Sequence, residues 1–306
     1  MIYSFHMPLF MLISGYLFYF SANRYPFHQL IEKKIKGMLQ PILMGTILYY
    51  YATIGLFNVL LGQPGALLNG EWLWHLDNLW FLWSLLGCTI VVGVMHHAKG
   101  YLRKTAVILC GFPFVALFPN MQLNIYMLPF FLIGYCYASN DGSRSKAWRY
   151  AMWVFAIGFL PLLTMYEKRH FIYTTGIYSV SYSIVENIAI HAYRYLIGVA
   201  GSAFVISAVS RCSNRVLSSR TMSRVARIGE KSLMWYVLSV PFLSGYLPKV
   251  IAAFSGRFPT LAALLGNTLL LNCVITPILL IVYVLGLGLM VHYLERSRIS
   301  SILFGR

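Results

Sequence analysis

Acidic residues are scarce in this chain: Asp and Glu number 8 against 24 Lys and Arg, giving a formal net charge of +16. Charged residues of both signs make up only 10% of the sequence, where a soluble domain carries about a quarter. Cysteine is sparse and dispersed. Cys88, Cys110, Cys136, Cys212 and Cys273 form no C-x-x-C and no zinc-type spacing with histidine, so neither a disulfide framework nor a metal-ligand set is implied. Nucleotide and hydrolase motifs are missing as well: there is no P-loop, G-x-G-x-x-G, H-E-x-x-H or G-x-S-x-G. The missing P-loop speaks against an ATP-driven pump. Residues 1–20 also lack the basic n-region and small-residue cleavage site of a secretory signal peptide.

Apolar residues are what the chain has in abundance, at 59% of the whole. Several runs reach the ~20 residues that cross a bilayer core. The sequence therefore predicts an all-α protein: a polytopic membrane helical bundle forming one domain over residues 1–306, with a short basic tail at 293–306. About nine spans are expected, near 5–21, 39–61, 78–97, 105–118, 123–139, 150–166, 188–210, 232–254 and within 261–294. Residues 62–77 and 167–187 read as polar loops, and the latter is long enough to be a functional suspect.

The basic residues sort by side. All but Lys168, Arg169, Arg194, Lys249 and Arg257 fall in alternate loops and the C-terminal tail. Such alternation is a signal of orientation, and it lacks the continuous basic face that nucleic acid requires. No nucleic-acid partner is expected. The charges place the C-terminus in the cytoplasm. With nine spans they place Met1 outside, and one more helix ahead of it would reconcile that start and make ten.

Polar groups in lipid are costly and usually face a cavity or a partner. In this topology they gather at the outer end. His6 opens the first span, and Glu71, His75 and Asp77 precede the third. Glu167, His170 and Glu186 lie in the long loop, while His191 and Arg194, three apart, share a helical face. They predict an outward pocket for a hydroxylated acceptor, with interfacial snorkelling as the plainer alternative. Trp80 is the candidate for stacking on a sugar, although tryptophans also form the ordinary aromatic belt. On the other side, Lys33, Lys34 and Lys36 suit the phosphates of a nucleotide-bearing cofactor such as coenzyme A, or else orientation and anionic lipid. Gly198-x-x-x-Ser202 fits close packing of helices.

Four patches carry a family likeness. They are Phe5-His6-Met7-Pro8-Leu9-Phe10-Met11-Leu12-Ile13-Ser14-Gly15-Tyr16-Leu17-Phe18; Lys33-Lys34-Ile35-Lys36-Gly37-Met38-Leu39-Gln40-Pro41; Leu79-Trp80-Phe81-Leu82 together with Leu128-Pro129-Phe130-Phe131-Leu132-Ile133-Gly134-Tyr135; and Ile228-Gly229-Glu230-Lys231-Ser232-Leu233-Met234-Trp235-Tyr236. In this order they resemble acyltransferase family 3, in the branch similar to fucose 4-O-acetylases. Ser14, Gly15, Gly229, Ser232 and Tyr236 are its structural motif positions.

The resemblance implies a ten-helix membrane O-acyltransferase, most often an O-acetyltransferase. It would move an acetyl group from cytoplasmic acetyl-CoA, with no metal, to a hydroxyl of an envelope sugar or polysaccharide outside. It also implies three departures. The family's first helix, with its catalytic histidine, would precede Met1; Gly37 stands where a second arginine is usual; and Ser239 stands where histidine often ends the last patch. Transfer is thus expected to be impaired in the chain as it stands, with His6 and Arg194 supporting the site and Lys33, Lys34 and Lys36 holding coenzyme A. His75, Asp77, Trp80, Glu186 and His191 would meet the acceptor. The H-x₄-D pattern of glycerolipid acyltransferases is absent. The rival readings are a flippase for a lipid-linked sugar and an inactive family member.

Overall fold

A computed structural model describes residues 4–50, 76, 79–118, 121–140, 145–176, 178–212, 219–240 and 276–297. Every regular element among them is helical, in agreement with the all-α expectation. The helices are α1 (His6–Arg24), α2 (Phe27–Tyr50), α3 (Trp80–His97), α4 (Tyr101–Ala116), α5 (Met121–Ser139), α6 (Lys146–Thr164), α7 (Ile184–Ser210), α8 (Arg220–Glu230), α9 (Ser232–Val240) and α10 (Thr276–Arg296). Between α6 and α7 stand a 3₁₀ turn, Lys168–His170, and a single helical turn, Ile172–Thr175.

Four helices, α3, α6, α7 and α10, are long and apolar enough to cross a membrane. Their outer faces tell the same story. On α6, Trp153, Val154, Ile157 and Leu160 are exposed; on α10, Ile278, Leu280, Ile281 and Leu285 are. A helix that is apolar on the side away from its neighbours belongs in lipid. Residues 51–75 and 241–275, which hold parts of the second, eighth and ninth expected spans, lie outside the described residues.

Helix bounds differ from the hydropathy bounds at two places. α2 starts at Phe27, directly after Pro26, so Lys33, Lys34 and Lys36 are helical and not in a loop ahead of the span. Hydropathy marks only where a helix enters lipid. The segment Gln29-Leu30-Ile31-Glu32-Lys33-Lys34 is made largely of good helix formers, and its Leu30 is buried. α7 begins one turn early at Ile184. There Ser183 accepts from the Glu186 N–H at 3.3 Å while Glu186 accepts from the Ser183 N–H at 2.8 Å, a reciprocal cap.

The chain forms two compact units, residues 1–35 with 80–222, and residues 36–79 with 223–306. In the first, α1 lies against α5. The buried positions of α1, Pro8, Met11, Leu12, Gly15, Phe18 and Ala22, recur at three or four residues and make one stripe. At the crossing the two main chains touch. A Cβ on Gly15 would stand 2.0 Å from the Phe131 carbonyl oxygen, and one on Gly134 would stand 1.9 Å from that of Leu12. No side chain fits at either point, so both motif glycines are required by the packing.

Neighbouring helices are tied by buried polar groups. Ser84 donates to Asn124 Oδ1, and Asn124 Nδ2 donates to the carbonyls of Val115 (3.3 Å) and Phe118 (3.2 Å), linking α3 and α5 to the end of α4. Gly198 and Ser202 of α7 behave as expected of small packing residues: a Cβ on Gly198 would meet the Phe130 ring at 2.8 Å, and Ser202 donates to the Gly198 carbonyl.

In the second unit α9 packs on α10. Met234, Val237 and Leu238 are buried, as are Leu287, Val291 and Leu294. Lys231 bridges to Glu295 at 2.6 Å. Ser239 donates to the Tyr236 carbonyl of its own helix at 2.8 Å. The space around Gly229 is open, and Ser232 is exposed at the start of α9.

Candidate functional site

The segment between α6 and α7 has little regular structure, so most of its carbonyls need donors from elsewhere. One arginine supplies them. Arg194, on the third turn of α7, is only 2% exposed. Its Nε donates to the His170 carbonyl (2.9 Å), one terminal nitrogen to the Gly176 carbonyl (2.7 Å), and the other to the Arg169 carbonyl (3.2 Å) and the Thr175 hydroxyl. A buried cation is tolerable when such dipoles surround it. Asn187, seven residues earlier on the same face, holds the far part of the loop. Its Nδ2 donates to the carbonyls of Ser179, Tyr182 and Ser183, and its Oδ1 accepts from the Ser179 N–H.

Under this clamped loop lies a pocket of about 440 Å³, its mouth included. Its walls come from the start of α1 (Ser4, Met7), the first residue of α3 (Trp80), the first turns of α5 (Leu123, Tyr126, Met127), the loop (Tyr166, His170, Phe171, Ile172) and α7 (Arg194, Ile197). Three helices thus begin around one chamber, and helix N-termini favour negative charge developing beside them. The Tyr126 hydroxyl donates to the Arg194 carbonyl at 3.0 Å, locking α5 to α7.

His170 is held on several sides. Its ring lies 4.1 Å from the Tyr193 ring, centre to centre, and the Glu167 N–H donates to its Nδ1 at 3.0 Å. Burial and the nearby Arg169 hold its pKa below the ordinary histidine value, against the opposing pull of Glu167.

Of the residues singled out from the sequence, Arg194 and Trp80 line the pocket. His6 is the first residue of α1, between the lining residues Ser4 and Met7. His191 lies one turn from Arg194 on α7, half-buried. Glu186 is exposed and serves as the cap partner of Ser183. His75 and Asp77 lie outside the described residues. Lys33 and Lys36 are exposed on α2, with the Lys33 ammonium 4.7 Å above the Tyr25 ring, and Lys34 is half-buried. Sequence reading passed over Tyr126 and Asn187. The S-x-x-E spacing of Ser183 and Glu186 was legible and would have placed Asn187 in the first turn.

The sequence matches the Acyltransferase domain family over residues 1–293. The chain belongs to acyltransferase family 3. Among curated relatives, it is 26% identical to nodulation protein NolL of Mesorhizobium japonicum over 252 residues, covering 78% of this chain and 64% of that protein. It is 32% identical over 142 residues to nodulation protein NolL of Sinorhizobium fredii, covering 45% and 38%. The chain thus spans less than two thirds of the length of these relatives. No solved structure matches it. In this acyltransferase-family chain, two of the motif patches meet in space: Gly15 of the first and Gly134 of the third make the α1–α5 contact.

Proposed function

We propose that the protein is a membrane O-acyltransferase that moves an acetyl group from acetyl-CoA to a hydroxyl of an envelope sugar or polysaccharide. The observation that carries this reading, beside family membership, is the aromatic pocket under the loop clamped by Arg194. Trp80, Tyr126 and Tyr166 offer ring faces to a sugar, and His170 and Tyr166 offer polar tips, the mixture expected of a small-ligand site.

In the transfer, the acceptor oxygen attacks the thioester carbonyl. A C–O bond forms, the C–S bond breaks and coenzyme A leaves as the thiol. The hydroxyl proton passes to a neutral imidazole, a base suited to neutral pH, which then returns it to the leaving thiolate. His6 supports the site from the start of α1. Arg194 acts as a positioning residue through the loop it holds. Lys33, Lys34 and Lys36 offer point charges to the phosphates of acetyl-CoA at the cytoplasmic face, with the C-terminus on that same side. The acceptor enters from outside, and the family's ten-helix bundle in the bacterial cytoplasmic membrane separates the two.

Membrane vesicles given acetyl-CoA labelled in the acetyl group test the reading. Label recovered in ester linkage on envelope glycan supports it. Label that stays on coenzyme A while glycan changes sides identifies a flippase and rejects it.

A further inference from the structure

The helix α8 leaves its apolar side open. By register, Val225, Ala226, Ile228 and Gly229 fall on one side of it, and positions 220, 224 and 227, all arginine, fall on the other. Val225 and Ile228 are 55% and 51% exposed, and a Cβ on Gly229 would enter open space. A helix of 11 residues is marginal in water by itself and gains its stability by burying such a side.

The surroundings of α8 say what covers it. Its depth is set by Lys231, the one residue between α8 and α9, which bridges to Glu295 at 2.6 Å. Glu295 is the last residue but one of α10, a helix long and apolar enough to cross a membrane. So α8 ends level with the polar end of a span, where hydrocarbon gives way to headgroups. Its direction is set by α9, which packs on α10 with Met234, Val237 and Leu238 buried. Hydrogen bonds from the Lys231 N–H to the Ile228 carbonyl and from the Trp235 N–H to the Lys231 carbonyl carry the winding through the junction. Counting back seven residues from the buried three reaches Arg227, Glu230 and Lys231, so the polar side of α8 continues the side that packs on α10. Val225 and Ile228 therefore face away from α10. The charge is as one-sided: three arginines stand with one glutamate, and Arg227 is exposed. Guanidinium groups grip phosphate oxygens in pairs, and a basic cluster at a membrane surface is drawn to anionic lipid.

We propose that α8 is an interfacial helix. It leans outward at Lys231 over the leaflet at the C-terminal end of α10, sinks Val225 and Ile228 among the acyl chains and holds anionic phospholipid headgroups with its arginines. The inference goes beyond acyl transfer and shares with that reading only the membrane around α10.

The test uses the full chain in nanodiscs holding one copy each, made of phosphatidylcholine alone or mixed with phosphatidylglycerol. V225C, I228C and R227C, each in a chain whose five native cysteines are alanine, carry a nitroxide. Collisions with oxygen report lipid, and collisions with a chelated nickel complex report water. In the mixed discs the labels at 225 and 228 are expected to favour oxygen and the label at 227 to favour nickel. Hydrogen exchange of residues 222–230, read on the unsubstituted chain, is expected to slow about tenfold from phosphatidylcholine to mixed discs. The double variant R224Q/R227Q is expected to lose that difference. Labels at 225 and 228 as wet as the one at 227 would show α8 standing in water as an extension of α9. Labels shielded from both reagents would show protein covering the apolar side. Equal exchange in the two kinds of disc would show that headgroup charge is not sensed. Each of these results overturns the inference, and the exchange measurement needs no cysteine variant to fold. Acetyl transfer by a chain whose α8 stays wet rejects the inference alone, while α8 in lipid without transfer rejects the proposed activity alone.

Discussion

Two regions of the first unit solve the same problem of holding backbone together, in opposite ways. Where α1 crosses α5, contact is made by leaving atoms out: Gly15 and Gly134 bring each main chain against the other's carbonyl. Between α6 and α7 contact is made by adding atoms, as Arg194 and Asn187 reach out to carbonyls that no helix satisfies. Irregular backbone that is buried needs donors from elsewhere in the chain. The first solution is rigid and tolerates no substitution. The second depends on a few long side chains, and it roofs the pocket.

The sharpest way to break the comparison is at the crossing. Gly134→Val is expected to cost about 3 kcal/mol or more, because the added Cβ meets main chain that cannot swing aside. The measurement is the fraction of protein that stays monodisperse in mild detergent after heating. Gly229→Ala, which enters open space, serves as the control and should be near neutral.

Next comes Arg194→Met. It strands three carbonyls and a hydroxyl, and about 2–3 kcal/mol of loop stability should go with them. Hydrogen exchange should then rise across 167–176 while the α1–α5 crossing stays protected. Equal loosening at the crossing would show that the two regions are one cooperative element. Ser183→Ala removes one side of the cap on α7 and should cost about 1 kcal/mol, seen as faster exchange in the first turn of that helix.

The smallest effect is the pH dependence of the loop. His170 faces Glu167 and Arg169 from its own turn, Tyr166 from the end of α6, and Tyr193 and Arg194 from α7. Its pKa in the folded chain lies below the 6.5 of a free imidazole, so the unfolded chain binds the proton first. Stability is therefore flat above about pH 6.5 and falls as pH drops through that value. Thermal unfolding from pH 8 to 5 should show this slope, and H170N should flatten it.

These regions also differ in how far they could be read from the chain. The Gly15 and Gly134 motifs stand out in sequence because only glycine permits the contact, and hydropathy located the helices that carry them. Arg194 was singled out as costly in lipid, but its partners could not be. They are carbonyls, which every residue possesses, so nothing in the letters 169–176 announces that this arginine binds them. His170 was visible as a polar residue in a long loop, whereas its contact with the Glu167 amide was not. Lys33, Lys34 and Lys36 were read as a loop because charge ends a hydropathic span, although it does not end a helix. Tyr126 looked like one more apolar-span aromatic until its hydroxyl was found on the Arg194 carbonyl.

The reach of α4 has one further consequence. Its 16 residues extend about 24 Å, less than the ~30 Å of a hydrocarbon core. If it stands upright, either the bilayer dimples to meet it or the polypeptide reverses while still submerged. The Asn124 amide, spent on the carbonyls of Val115 and Phe118, would satisfy the backbone in such a reversal. Replacing that asparagine with leucine would leave both oxygens without this donor and loosen the end of α4.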